Sequence, residues 1–194
     1  MNPPDLAALV GKEHPATLGD RALLEQPLLA IACSARCPPG LVLPAYDLAG
    51  AVRDAGVATI GGFHTAIERD CLHYLLKGRQ PVVICPARGV RGMRPKPEWR
   101  GPLAEGRLLV VSPFAATARR MTRALAEARN AFVAERCAAA LVIHAASGGR
   151  TEAWCRTVMA MGKPVWVLDA AENGAVVALG GRAVRVGAVP EWFG

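Results

Sequence analysis

Leu141-Val142-Ile143-His144-Ala145-Ala146-Ser147-Gly148-Gly149-Arg150-Thr151-Glu152 reads as a strand, a glycine turn and the start of a helix. An apolar run of strand length ends in small residues and two glycines, and the residues from Glu152 to Met161 are rich in helix formers. Glycines at such a turn let the backbone approach a ligand closely. The first free N–H groups of the helix, and its dipole, attract an anion. A phosphate suits the place, although a plain strand-to-helix connection has the same local pattern. Evidence from the rest of the chain has to separate the two.

Working outward, strands are predicted at Leu28–Cys33, Val57–Ile60, Pro81–Cys85, Arg107–Val111, Ala139–His144 and Val165–Leu168, with a weaker one at Ala183–Val186. Helices are expected between them. One carries the stripe Tyr46, Leu48, Ala49, Val52 and Ala55 and ends at Gly56; a second runs from about Thr65 to Leu76. A basic helix is expected to hold Arg119, Arg120 and Arg123 and to continue through Arg129 and Asn130 to Cys137. The helix after the glycine turn stops at Gly162-Lys163-Pro164. Residues 1–27 read as a packed arm with short helical candidates at Leu6–Val10 and Arg21–Glu25, and residues 28–194 as one domain.

Six alternations of strand and helix with short connections predict an α/β fold: a mostly parallel sheet with right-handed crossovers and helices on both faces. Ligands of such sheets sit beyond the carboxyl ends of the strands. Five loops fall there: Ser34 to Arg36, Gly61 to Phe63, Arg88 to Lys96, Ser112 to Phe114, and Ser147 to Thr151.

The 194 residues suffice for a proper core, and the 5% aromatic content suits small residues packed on a buried sheet. No apolar run approaches the roughly 20 residues that span a bilayer. The start Met1-Asn2-Pro3-Pro4-Asp5 lacks the basic and apolar regions of a signal peptide, so a cytoplasmic protein with no membrane partner is expected. The six cysteines and four histidines show no zinc spacing, so no metal or other cofactor is expected. The net charge of +7 is unevenly placed. Between Arg79 and Arg129, eleven basic residues face three acidic ones, so the middle of the chain is expected to meet an anion.

Catalytic patterns are missing. No Walker lysine follows Gly148-Gly149, no Gly-x-Gly-x-x-Gly follows the first strand, and Ser34, Ser112 and Ser147 lack a nucleophile-elbow context. His144, at the end of a buried strand, reads as a hydrogen-bonded core histidine. Arg36, Arg129 and Arg150 each offer a planar fork to phosphate, and Phe63 or Phe114 is placed to stack bases.

Several motifs in order resemble the Rossmann-like core of the DprA/Smf DNA-processing proteins across residues 28–169. They are Gly61-Gly62-Phe63 with Ile67-Glu68-Arg69, then Arg129-Asn130, then Ser147-Gly148-Gly149-Arg150-Thr151-Glu152-Ala153. Ser34 and Arg36 match the family's Gly-Ser-Arg loop, here Cys33-Ser34-Ala35-Arg36 with the Arg displaced by one position. Arg129-Asn130 match the start of its Arg-Asn-Arg motif, whose second Arg is Ala131 here, and Glu68 stands for the Asp of its Gly-Ile-Asp loop. The resemblance implies single-stranded DNA binding, dimerisation and a RecA-type recombinase as partner, without catalysis. Implied site residues are Ser34, Arg36, Gly61, Gly62, Phe63, Lys96, Arg129, Asn130, Ser147, Gly148, Gly149, Arg150 and Thr151. The alternative is a nucleotide sensor or a nucleoside-monophosphate phosphoribohydrolase of the same fold. The hydrolase motif resembles Pro-Gly-Gly-x-Gly-Thr-x-x-Glu, but Trp154 stands three residues after Thr151, and Glu152 lies two residues, or roughly 200° of helix, out of register.

Overall fold

The apolar runs pair side by side in one sheet of eight strands in the order β1-β5-β4-β3-β2-β6-β7-β8. The strands are β1 (Ala16–Gly19), β2 (Leu29–Ala32), β3 (Thr59–Gly61), β4 (Val82–Ile84), β5 (Leu108–Ser112), β6 (Ala139–Val142), β7 (Val165–Leu168) and β8 (Arg182–Val184). The computed structural model describes residues 15–118 and 120–187. From β2 to β8 all pairing is parallel, and only β1 runs antiparallel, against β5.

The helices are α1 (Val42–Asp54), α2 (Ala66–Leu75), α3 (Pro97–Ala104), α4 (Arg123–Arg136), α5 (Arg150–Ala160) and α6 (Gly174–Ala178). They divide between two faces because successive strand residues point opposite ways. Leu29, Ile31, Val82, Ile84, Leu108 and Val110 pack with Ala45, Leu48 and Val52 of α1 and Cys71 and Leu75 of α2. Ala30, Ile60, Val83, Leu109 and Val111 belong to the other core, with Phe132 of α4, Trp154 and Val158 of α5, and Val176 of α6. Covered on both sides, the inner strands can be apolar without alternation, which is why β5 is buried at every position. The expected α/β fold, a mostly parallel Rossmann-like sheet with helices on both faces, is the observed one.

Boundaries differ in instructive ways. Cys33, Cys85, Ile143 and His144, placed in strands by their apolar runs, lie past the ladders, where the chain turns into the carboxyl-end loops. His144 stays inside, with Nδ1 3.1 Å from Oδ1 of Asn173, as a core histidine should. The Arg21–Glu25 candidate is a single 3-10 turn over Arg21–Leu24, held by Asp20, whose carboxylate accepts the N–H of Ala22. Just before it, β1 pairs Ala16 with Ser112 and Gly19 with Leu109, so part of the arm is an edge strand of the sheet. The Leu6–Val10 candidate lies outside the described residues. α3 was not expected, since Pro97, Gly101 and Pro102 argue against a helix; Pro97 is tolerated because a first-turn residue needs no N–H partner. The basic helix starts only at Arg123, where Thr122 caps it by accepting the N–H of Leu125. Arg120 therefore lies in the preceding loop, and Arg119 is outside the described residues. No helix among the described residues is long and apolar enough to cross a membrane.

Topology already selects one place for a ligand. From β2 the crossovers run outward through β3 and β4 to β5, while β6, β7 and β8 run outward on the other side. The loops leaving β2 and β6 diverge at this reversal and open a crevice between them.

Candidate functional site

The loops after β2 and β6 are stitched to each other. Ser34 donates its N–H to the carbonyl of His144 at 2.8 Å, and its Oγ accepts the N–H of Ala146 at 3.0 Å. Beyond Ala146 the chain turns at Gly148, whose φ of +66° few side-chain-bearing residues adopt. Gly149 then occupies the N-cap of α5 and brings no side chain to satisfy the first N–H groups. Glu152 folds back instead, accepting the N–H of Gly148 at 3.0 Å and pairing with Arg156 at 2.9 Å. The Arg156 hydrogen bond, then the Gly148 N–H, hold its carboxyl below the usual range. Glu152 is thus occupied within its own helix, as a first-turn carboxylate beside the positive end of the dipole.

The floor of the crevice is built by α4 and by the loop after β3. Arg129 is 1% exposed. Its Nε donates to Oδ1 of Asn130 at 2.7 Å, Nη1 donates to the carbonyl of Cys85 at 3.4 Å, and Nη2 lies 3.2 Å from Nδ1 of His64. Burial pushes its pKa down, against the attraction of Glu68. The guanidinium lies against Gly62, where an added Cβ would overlap Nη1 and Cζ. Gly62→Ala is therefore expected to displace the guanidinium and to cost about 1–3 kcal/mol of stability as overpacking, measured by denaturant titration.

Glu68, also buried, closes this constellation. Its Oε1 accepts the N–H of Cys33 at 2.9 Å, and its Oε2 accepts the N–H of His64 at 2.8 Å. Thr65 and Glu68 form a capping box at the start of α2, and Nδ1 of His64 is 2.9 Å from Oε2. Burial works to raise the carboxyl pKa, but the His64 ring and the backbone donors outweigh it and hold the group ionised. Phe63 makes the turn into this cap with φ of 44°, the one non-glycine residue with positive φ among those described.

Together these elements line a cleft of about 560 Å³. Of the residues expected in the site, Ser34, Arg36, Gly62, Arg129, Asn130, Gly149, Arg150 and Thr151 line it, with Arg36 and Arg150 exposed at its rim. The others are placed elsewhere. The Phe63 ring is 5% exposed and packs in the core of the α1 and α2 face, so it does not present itself to a base. Phe114 is 2% exposed against Ala87, Leu125 and Ala128. Gly61 ends β3 and does not line the cleft, and neither do the exposed Ser147 and Gly148. Lys96 stands before α3 over the Trp99 ring, 5.1 Å from its centroid, and does not line the cleft. The central basic segment contributes less than its charge implies: among its described basic residues only Arg123 and Arg129 line the cleft, and Arg123 is paired with Glu127 at 2.8 Å. Arg88 and Arg91 border a separate hollow with Met93.

Glu68, matched in sequence to the Asp of the family's Gly-Ile-Asp loop but not named as a site residue, also lines the cleft, together with His64, Met121 and Trp154, whose Nε1 donates to the carbonyl of Asn130 at 2.8 Å. The Thr65-x-x-Glu68 spacing of a capping box is a second signal for Glu68, beside that motif match. Among the described residues no three His, Cys, Asp or Glu side chains cluster to hold a metal. Cys33 borders the cleft, but burial pushes its thiol pKa far up, which removes the thiolate a nucleophile needs.

No family model and no curated protein matches the chain. Solved structures do. DNA processing protein A (DprA) of Streptococcus pneumoniae superposes over 95% of this chain and 68% of its own, at 17% identity and a TM-score of 0.71. The fold is DprA-like. DprA of Helicobacter pylori, described for its unique single-stranded DNA binding mode, covers 98% of this chain and 92% of its own, also at 17% identity, with a TM-score of 0.73. The molybdenum cofactor carrier protein of Chlamydomonas reinhardtii shares the general architecture, with a TM-score of 0.54 and 13% identity over 84% of this chain and 92% of that one. The low identities leave the cleft to be read from its own residues.

Proposed function

We propose that the cleft binds single-stranded DNA by its phosphates, and that the chain acts by binding, as a recombination or DNA-uptake accessory factor, not by catalysis. One observation carries the reading: the buried Arg129 guanidinium forms the floor of an open cleft at the reversal point of the sheet, with Arg36, Arg150 and the uncapped start of α5 around it. A guanidinium has five N–H donors. Two are engaged by Asn130 and Cys85, Nη2 lies beside the His64 ring, and the remaining N–H groups are the donors offered to an anion. The DprA-like fold supports a polymer as that anion, and with it a homodimer and a RecA-type recombinase as proposed partners.

Salt tests this directly. Each phosphate neutralised on a single strand adds about −0.7 to the slope of log affinity against log salt. Contacts from Arg36, Arg129 and Arg150 thus give an expected slope of about −2 for an oligothymidylate, read by fluorescence anisotropy. A mononucleotide that binds while the oligonucleotide does not, even at low salt, would replace the polymer with a nucleotide ligand.

A further inference from the structure

His64 is placed with two partners that make opposite demands on one nitrogen. Its Nδ1 lies 2.9 Å from Oε2 of Glu68 and 3.2 Å from Nη2 of Arg129. Arg129 only donates and an ionised carboxylate only accepts, so a single Nδ1 cannot bond both. The shorter contact is to the carboxylate, whose ionised form is also fed by the N–H groups of Cys33 and His64. Nδ1 therefore carries a proton toward Glu68. In the neutral ring Nε2 is then left as a lone pair, on a side chain 40% exposed in the cleft wall.

We propose that His64 is a proton-linked phosphate contact: its Nε2 takes up a proton from solvent as a phosphodiester oxygen docks, so that single-strand binding and protonation of the ring are coupled. The inference rests on the reading of the cleft as a single-strand site. A bare lone pair at Nε2 repels a phosphate oxygen, whereas an N–H there donates to it. In the empty cleft the proton is opposed by the Arg129 guanidinium 3.2 Å from the ring and by Arg36, Arg123 and Arg150 around it, and favoured by Glu68 and, farther off, Glu127. The arriving phosphate shifts that balance toward the cation. Imidazole is the side chain that ordinarily changes charge near neutral pH, whereas Glu68 is held ionised and burial keeps the Cys33 thiol protonated. A group that binds its proton more tightly in the complex makes the complex stronger at low pH, and that gain disappears as pH rises through the ring's titration.

Binding of a rhodamine-labelled oligothymidylate with a 5′-hydroxyl, whose phosphodiesters do not titrate, is measured by anisotropy from pH 5.5 to 8.5 at fixed salt. The expected result is an affinity that falls by up to about tenfold per pH unit across the titration, as one linked proton requires. His64→Asn keeps an N–H donor where Nδ1 stands, so Glu68 stays satisfied, and is expected to lose the slope. Calorimetry in two buffers of different ionisation enthalpy is expected to show proton uptake on binding for the native chain and none for H64N. A native affinity independent of pH, or an H64N variant with the native slope, overturns the proposal while leaving the single-strand site in place. Absence of oligonucleotide binding even at pH 5.5 and low salt overturns the single-strand reading itself and this proposal with it.

Discussion

Arg129→Ala is expected to lower oligonucleotide affinity by about 100-fold, the loss of a charge-assisted phosphate contact worth about 1.5–3 kcal/mol. The reason lies in where the side chain is held. At the floor of a cleft its charge is poorly screened, and bonds to Asn130 and Cys85 fix the fork before any ligand arrives. Arg129→Lys restores a charge but not the planar fork, and an intermediate loss of about tenfold is expected. Arg182→Ala provides the comparison, since Arg182 is exposed on β8, two ladders beyond β6 at the far edge of the sheet. Its effect is expected to stay within twofold, as for a distant surface charge screened by salt. Anisotropy titrations at one low salt concentration, on variants shown by circular dichroism to be folded, give all three numbers. Equal effects of Arg129→Ala and Arg182→Ala would mean that the phosphate site lies elsewhere.

That contrast also marks what the sequence could and could not convey. Apolar runs such as Val165–Leu168 are legible as buried parallel strands because both faces of the sheet are covered, and their alternation with helices gives the sheet type and hence the edge where ligands bind. β1 was illegible because Ala-Thr-Leu-Gly carries no apolar run; it is a strand only because β5 offers it an edge. α3 was hidden behind two prolines and a glycine that its first turn and short length tolerate. In the candidate site, the sequence offers Arg129 as a candidate phosphate ligand but does not show that it is buried. Its burial depends on Gly62, some 67 positions earlier in the chain, having no side chain. The same limit explains Phe63 and Lys96. Phe63 follows β3 and Lys96 precedes α3, and the ring and ammonium directions depend on a positive φ in one case and on Trp99 in the other. Net charge along the chain was a poor guide to net charge in space, since among the described residues of the central segment only Arg123 and Arg129 line the cleft, and Arg107 and Arg123 pair locally.

Glu68→Ala is expected to be the most destabilising single change in the site, by about 3–5 kcal/mol, because it leaves the buried Arg129 without its nearby carboxylate. It also strands the N–H groups of Cys33, His64 and Thr65, which all donate to Glu68, and an unsatisfied buried donor costs about 1–3 kcal/mol. pH separates this from a loss of packing. The carboxyl is held below its ordinary value of 4.5, so its charge contributes stability that is complete above that value and is lost as pH falls through the lowered one. Glu68→Gln keeps the shape but not the charge. Its stability deficit against the native chain, measured by urea titration, is expected to be full at pH 7, to shrink as pH drops below 4.5, where the unfolded chain takes up a proton that the folded carboxyl still resists, and to vanish below the lowered folded value. A deficit that stays constant to pH 3 would show that Glu68 acts through its volume, and that the Arg129 charge at the cleft floor is balanced by other groups.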